Sequence, residues 1–185
     1  MNPSDEELMA ELRLGYDQDF AEIYDRYARR LQHFFYRGLN KDEELASDFV
    51  HDLFLKLIEV HESFMLDRSL KTWLFSIANN MLINEYKKRA VRNRELKVEI
   101  QTTVSANGHY RNHDESHFRE SLEKVIKGFD RETQRLFFFR FKEEMSVAEI
   151  AEVMALKEGT VKSRLHYLMK KLSKELKEFK DLNDK

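Results

Sequence analysis

The sequence predicts an all-α protein of two small helical domains joined by a polar linker, and three observations carry that prediction. First, its 185 residues include one Pro and five Gly, so helix breaks are few, and the common residues Leu, Glu, Lys, Arg, Ala and Met are good helix formers. Second, no stretch alternates Val, Ile and Thr between turn clusters, so no strand pattern competes. Third, apolar residues recur at helical spacing on both sides of a polar run, Thr102 to His117, that has no apolar face. The boundaries that follow are 1–97 for a first domain, 98–117 for the linker and 118–185 for a second domain.

Each element has its own signal. Ser4 and Glu7 have the spacing of a capping box and start a first short helix. A second helix, near Asp17 to Arg37, places Phe20, Ile23, Tyr24, Tyr27, Leu31 and Phe34 at helical spacing, and Gly38-Leu-Asn40 stops it. The third is expected from about Asp42 to His61, with Val50, Leu53, Phe54, Leu57 and Ile58 as its buried stripe. The fourth is expected from about Ser69 to a basic cluster near Arg94, with Leu70, Trp73, Leu74, Ile77, Ala78 and Met81 on its apolar side. Beyond the linker, periodicity resumes at Phe118, Leu122, Val125 and Ile126. The dense run Leu136, Phe137, Phe138, Phe139 and Phe141 marks the best-buried helix of the second domain.

Composition narrows the function. There is no Cys, which excludes disulfides and thiolate metal sites. The start, Met-Asn-Pro-Ser-Asp-Glu-Glu, lacks the basic and apolar parts of a signal peptide, and no apolar run approaches bilayer-spanning length, so a cytoplasmic protein without membrane insertion is expected. The formal net charge of −2 hides a strong asymmetry. Acidic residues crowd the first stretch (Asp5, Glu6, Glu7, Glu11, Asp17, Asp19) and recur at Asp42, Glu43, Glu44, Asp48 and Asp52. Basic residues gather at Lys87, Lys88, Arg89, Arg92, Arg94 and Lys97, and again at Lys157, Lys162, Arg164, Lys170, Lys171 and Lys174. Separate surfaces for separate partners are implied. No nucleophile motif, phosphate loop or paired His-carboxylate signature supports an enzyme, and no cofactor is expected.

Three segments carry chemistry. In Met145 to Leu172, Ser146-Val-Ala-Glu149 is a capping box, Ile150, Ala151 and Met154 form an inward stripe, and Ala155-Leu-Lys157 makes a tight turn into a longer helix. Two helices joined this closely form a helix-turn-helix, whose second helix enters the major groove. Val161, Leu165, Leu168 and Leu172 face its core, leaving Thr160, Lys162, Ser163, Arg164, His166 and Tyr167 for DNA. Arg and Lys reach guanine edges or phosphate, and Ser and Thr bond to either. In the third helix Asp48, His51, Asp52, Leu55 and Glu59 share the face opposite the buried stripe. A Leu flanked by carboxylates suits a protein interface, although this helix alone also permits a tolerated surface Leu. In the fourth, Lys71, Thr72, Ser76, Asn79, Asn80, Asn84, Lys87 and Lys88 decorate the polar side, and a loop containing Phe64 precedes it. Amides and aromatics beside positive charge suit unpaired bases, with Trp73 itself read as a core anchor.

In this order and at these separations, the stretches 46–57 (ASDFVHDLFLKL), 70–80 (LKTWLFSIANN), 149–152 (EIAE) and 158–166 (EGTVKSRLH) resemble extracytoplasmic-function sigma factors, group IV of the bacterial primary-sigma-related family. The resemblance implies a region 2 helical bundle in the first domain and a region 4 helix-turn-helix domain in the second. It implies that Asp48, His51, Asp52 and Leu55 dock on the clamp helices of the largest subunit of core RNA polymerase, with the flap of the second-largest subunit a further contact. Phe64 and Asn80 would receive a base flipped from the melted minus-ten element, with Lys71, Lys87 and Lys88 on the backbone. Thr160, Lys162, Ser163, Arg164, His166 and Tyr167 would read the double-stranded minus-thirty-five element. An anti-sigma factor is a further implied partner. Four positions depart from the family pattern: His51 stands where Gln is usual, Ala155 replaces a turn Gly, Lys157 replaces a Ser N-cap, and Tyr167-Leu-Met replaces a more basic run.

The rival function is a free-standing helix-turn-helix regulator. Against it, the first domain lacks the strand-helix alternation of a receiver. His109, His113 and His117 fall four residues apart, a spacing that would align them on a helix for zinc or nickel, but a polar linker with incidental histidines is the preferred reading and no metal site is expected.

Overall fold

The computed structural model describes residues 3–15, 17–96 and 113–177. Among these every regular element is helical: α1 (Asp5–Arg13), α2 (Asp17–Gly38), α3 (Glu43–Val60), a 3-10 turn (His61–Ser63), α4 (Leu70–Leu96), α5 (His113–Lys127), α6 (Arg131–Phe141), α7 (Val147–Met154) and α8 (Glu158–Glu175). The all-α expectation holds. α1 to α4 form one compact unit, and α5, α6, α8 and most of α7 form the second.

In the first unit α1 begins as its sequence predicts. Ser4 Oγ accepts from Glu7 N at 3.1 Å, and Ser4 N donates to Glu7 Oε2 at 2.7 Å. Leu8, Met9 and Leu12 turn inward against α2, which contributes Ile23, Tyr27, Leu31, Phe34 and Phe35. Polar contacts fasten the same two helices. Tyr27 donates its hydroxyl to the Asp5 carboxylate, and Arg26 Nη1 lies 2.8 Å from Asp5 Oδ1. Burial, followed by that bond to Asp5, pushes the Tyr27 phenol above its ordinary range and keeps it a donor.

The last residue of α2, Gly38, packs closely against α4. A Cβ there would lie 2.5 Å from Leu82 Cδ1 of α4, and Tyr86 of α4 donates its hydroxyl to Gly38 O at 2.9 Å. Asn40 and Lys41 then turn the chain through left-handed backbone (φ 63° and 65°), and Asp42 caps α3 by accepting from Leu45 N at 3.0 Å. α3 buries Ala46, Val50, Leu53, Phe54 and Leu57, and α4 buries Leu70, Leu74, Phe75, Ala78 and Leu82. Phe34 and Phe75 meet edge to face at 5.8 Å, as do Phe35 and Phe49 at 5.3 Å.

The second unit has its own core. Ile126, Phe129, Phe137, Leu168 and Leu172 cluster, with Leu122, Val125, Leu165 and Leu176 packed around them. Asp130 caps α6, accepting from Thr133 N at 2.9 Å and Thr133 Oγ1 at 2.7 Å. Partial burial pushes that carboxyl up, but the Thr133 hydrogen bonds outweigh it and hold Asp130 below the usual carboxylate range.

Several expectations need correction. Ile58, assigned to the buried stripe of α3, is 47% exposed, and Phe141 is 41% exposed at the end of α6. Ile58 lies at the margin of its buried arc, where 100° per residue carries the last apolar position out to solvent, and Phe141 is the final residue of α6. Thr72 and Asn79, read as decorating the polar side of α4, are buried because they share the arc of Phe75 and Leu82. α5 starts at His113, within the segment 98–117 read as the linker. A nucleated helix extends cheaply past its packed face. Residues 98–112 of that linker lie outside the described residues.

Candidate functional site

On α3 the expected docking residues fall together. Positions 48, 51, 52, 55 and 59 recur every three or four residues, and Asp48, His51, Asp52, Leu55 and Glu59 are all exposed. Leu55 keeps 48% of its surface in solvent. Ile58, missed by the sequence reading, follows it by three residues and extends the apolar strip. The result is a two-residue apolar strip bordered by three carboxylates. The i, i+3 spacing of Leu55 and Ile58 was a usable signal.

The loop between the 3-10 turn and α4 differs from expectation. Phe64, the residue expected to face a flipped base, is 3% exposed, with its ring edge to face on Trp73 at 5.3 Å. An aromatic between two helices removes more apolar area by packing inward than by standing in water, so the ring is withdrawn. Trp73 is half-buried and anchors this contact. The apolar side chains that the loop presents outward are Met65 (62% exposed) and Leu66 (41%). They directly follow Phe64 in sequence and were overlooked because an aromatic is the more familiar stacking surface. A turn closed by Arg68 N donating to Met65 O at 3.0 Å holds them at its tip.

Along α4, Asn80, Asn84, Lys87 and Lys88 are exposed on one side. Lys71 does not join them: nine residues before Asn80 is about half a turn around the axis and roughly 13 Å along it. It stands instead one residue into the helix, beside the loop, and is half-buried.

The helix-turn-helix forms as predicted. Ser146 N donates to Glu149 Oε2 at 2.8 Å and Ser146 Oγ accepts from Glu149 N at 3.2 Å, closing the capping box of α7, while Ile150, Ala151 and Met154 are buried. The turn carries the two departures noted above. Ala155 adopts φ 52°, the left-handed region that favours Gly, and Lys157 at the N-cap of α8 makes no side-chain capping bond. Val161, Leu168 and Leu172 are buried and Leu165 is half-buried, which fixes the outward arc of α8.

On that arc Lys162, Ser163, His166 and Tyr167 are exposed, and Thr160 and Arg164 are half-buried. Ser163 Oγ donates to Thr160 O at 3.0 Å, and Lys162 Nζ lies 3.6 Å from Glu158 Oε2. The Arg164 guanidinium pairs with Glu132 of α6. A shallow groove runs between the start of α6 and α8, lined by Asp130, Glu132, Thr133, Ser163, Arg164 and Tyr167. Glu132 was invisible to sequence reading because it comes from another helix, 32 residues away. Farther along α8, Lys170 and Lys174 continue the line of Ser163 and Tyr167, and Lys171 Nζ sits 4.5 Å from the centre of the Phe129 ring.

Among the described residues no cluster of His, Asp and Glu could hold a metal ion. Of the three histidines weighed above, His109 lies outside the described residues, as do the side chains of His113 and His117. No helix among the described residues is long and apolar enough to cross a membrane.

A helical bundle followed by a helix-turn-helix is the arrangement that the family matches place among the sigma-70 proteins. The Sigma-70 region 2 family model matches residues 23–92, and the Sigma-70, region 4 model matches residues 119–172. The ECF RNA polymerase sigma factor SigL of Mycobacterium tuberculosis is 30% identical over 172 residues, covering 90% of this chain and 89% of that protein. SigW of Bacillus subtilis is 29% identical over 174 residues, 88% of this chain and 91% of that one. Among solved structures, the sigma factor RpoE bound to the anti-sigma factor NepR from Bartonella quintana is similar, with TM-score 0.69 and 23% identity over 86% of this chain and 98% of that chain. The chain belongs to the ECF RNA polymerase sigma factors and is an alternative sigma factor of RNA polymerase.

Proposed function

We propose that the protein works in the cytoplasm, carrying core RNA polymerase to promoters and opening them, with the labour divided between its two units. The observation that carries this reading is the exposed face of α3, where Leu55 and Ile58 stand in solvent among Asp48, Asp52 and Glu59. A plain solvated helix gains nothing from two exposed aliphatics, whereas a docking helix uses them as its apolar centre and the carboxylates as its charged rim. The surface this fits is a basic, apolar-centred helical one, the clamp helices of the polymerase's largest subunit, with Asp48, His51, Asp52 and Leu55 in contact. The second unit is assigned to the flap of the second-largest subunit.

In the same reading Thr160, Lys162, Ser163, Arg164, His166 and Tyr167 face the major groove of the minus-thirty-five element. Arg164 leaves or shares its pair with Glu132 when it meets a base or phosphate. At the minus-ten element Met65 and Leu66 take the place first given to the Phe64 ring and pack against a base drawn out of the duplex. Phe64 supports them from beneath, Asn80 offers amide hydrogen bonds, and Lys71, Lys87 and Lys88 neutralise phosphate. An anti-sigma factor is proposed as a second partner that covers the polymerase-docking face. It accords with the solved similar chain, which was captured with such a factor.

Gel filtration of the full chain with core polymerase tests the docking face. The two should co-elute, and Leu55→Asp should weaken their association at least tenfold, since a buried Leu side chain is worth about 1.5–3 kcal/mol. Unchanged association of Leu55→Asp would overturn the assignment. Tight promoter-specific gel shift by the isolated chain, without polymerase, would favour the free-standing regulator instead.

A further inference from the structure

We infer that α1, which precedes the segment matched by the Sigma-70 region 2 model, is the brace that positions the loop between Phe64 and Leu70 for base capture, with Arg13 and Glu6 as its positioning residues. This rests on the assignment of that loop to the melted strand.

The two residues grip opposite ends of the same loop. Arg13 Nη1 donates to Phe64 O at 3.3 Å where the loop begins. Glu6 Oε1 accepts from Leu70 N at 3.3 Å where it ends. Leu70 N is one of the first amides of α4, which no carbonyl within the helix can satisfy, so a carboxylate there both completes the backbone bonding and favours the helix dipole. The Thr72 amide of that turn is met from within the loop, donating to Ser69 Oγ at 3.3 Å. Around and within the loop Phe64 N donates to His61 O at 3.2 Å and Arg68 N to Met65 O at 3.0 Å, while the Arg68 guanidinium pairs with Glu152. Met65 and Leu66 therefore stand on a short arch with both feet bonded to one helix, α1.

α1 is itself held firmly enough to serve. Leu8 and Met9 are fully buried, and Asp5 is engaged by both Arg26 and Tyr27 of α2, while Arg26 Nη2 also donates to Pro3 O at 2.9 Å. Arg13 is exposed at the far end of the helix, so its removal changes the grip on the loop and not the core. An unbraced arch samples many tip positions, and a base leaving the stack meets the correct one less often. The cost falls on opening a duplex rather than on docking to polymerase or reading the minus-thirty-five element.

The test is promoter opening by polymerase carrying the full-length chain, read by permanganate reactivity of minus-ten thymines. It compares duplex templates with templates already mismatched across the minus-ten element. Arg13→Ala and Glu6→Ala are each expected to lower opening of the duplex by roughly fivefold to tenfold, the size of a typical net hydrogen-bond contribution. Arg13→Lys and Glu6→Gln, which keep a donor and an acceptor, should recover most of it. On mismatched templates all four should fall within about twofold of the parent, given that melting is then no longer required. Equal losses on both templates would overturn the proposal, because a general folding defect acts on both. Normal opening by Arg13→Ala and Glu6→Ala, while Leu66→Ala is defective, would overturn the brace and leave the loop assignment standing. Normal opening by Leu66→Ala and Met65→Ala would overturn both.

Discussion

The two regions proposed to face DNA are built in opposite ways. On α8 the side chains assigned to DNA stand on a rigid helix whose buried line, Val161, Leu168 and Leu172, fixes the direction of every other position. Before α4 the working segment is a loop whose largest aromatic, Phe64, is withdrawn against Trp73 and whose tip presents Met65 and Leu66. A duplex offers a regular groove, and a regular helix meets it without rearrangement. A base leaving its stack needs an adaptable apolar contact, which Met and Leu supply on a short arch held at both feet.

That contrast breaks most readily at Phe64. If its ring is core, Phe64→Ala should destabilise the first unit by about 3–5 kcal/mol, measured by urea unfolding, whereas Leu66→Ala should stay within roughly 0.5 kcal/mol of the parent. Equal stability of the two variants would return Phe64 to the surface and dissolve the distinction. On the α8 side, Arg164→Ala should cost about 1–3 kcal/mol of promoter affinity and relax discrimination at one base pair. Lys170→Ala should weaken all sequences alike and flatten the salt dependence by about one phosphate contact. A sequence-independent effect of Arg164→Ala would place it on phosphate.

The turn before α8 offers a smaller effect of the opposite sign. Lys157→Ser supplies the missing N-cap and should raise the stability of the second unit by about 1 kcal/mol, read as a higher midpoint in thermal unfolding. The least effect is expected from pH. Asp130 has its carboxyl lowered in the folded state from 3.8, so its stabilisation is fully present above that value and fades as pH falls through the lower folded one. Acid unfolding of the second unit should therefore flatten at its acidic end in Asp130→Asn, and an unchanged acid profile would remove the cap from the account.

What was legible in the sequence divides along the same line. Helices α1 and α7 announced themselves through capping boxes, because Ser4 and Ser146 act within three residues of the amides they bond, and α3 and α8 through apolar spacing. The exposed face of α3 followed from period alone, apart from Ile58 at its margin. Phe64 could not be placed this way, since its burial depends on Trp73, nine residues on and in the next element. Glu132 with Arg164, and Arg13 with Phe64, are longer-range still. Such partners are set by tertiary packing, and no local pattern encodes them.

The central claim is that this chain makes core polymerase promoter-specific. Run-off transcription on genomic fragments, with core polymerase alone and with the chain added, tests it most directly. The account predicts discrete transcripts that depend on the chain and disappear with Leu55→Asp; no transcript above the level of core polymerase alone would contradict it.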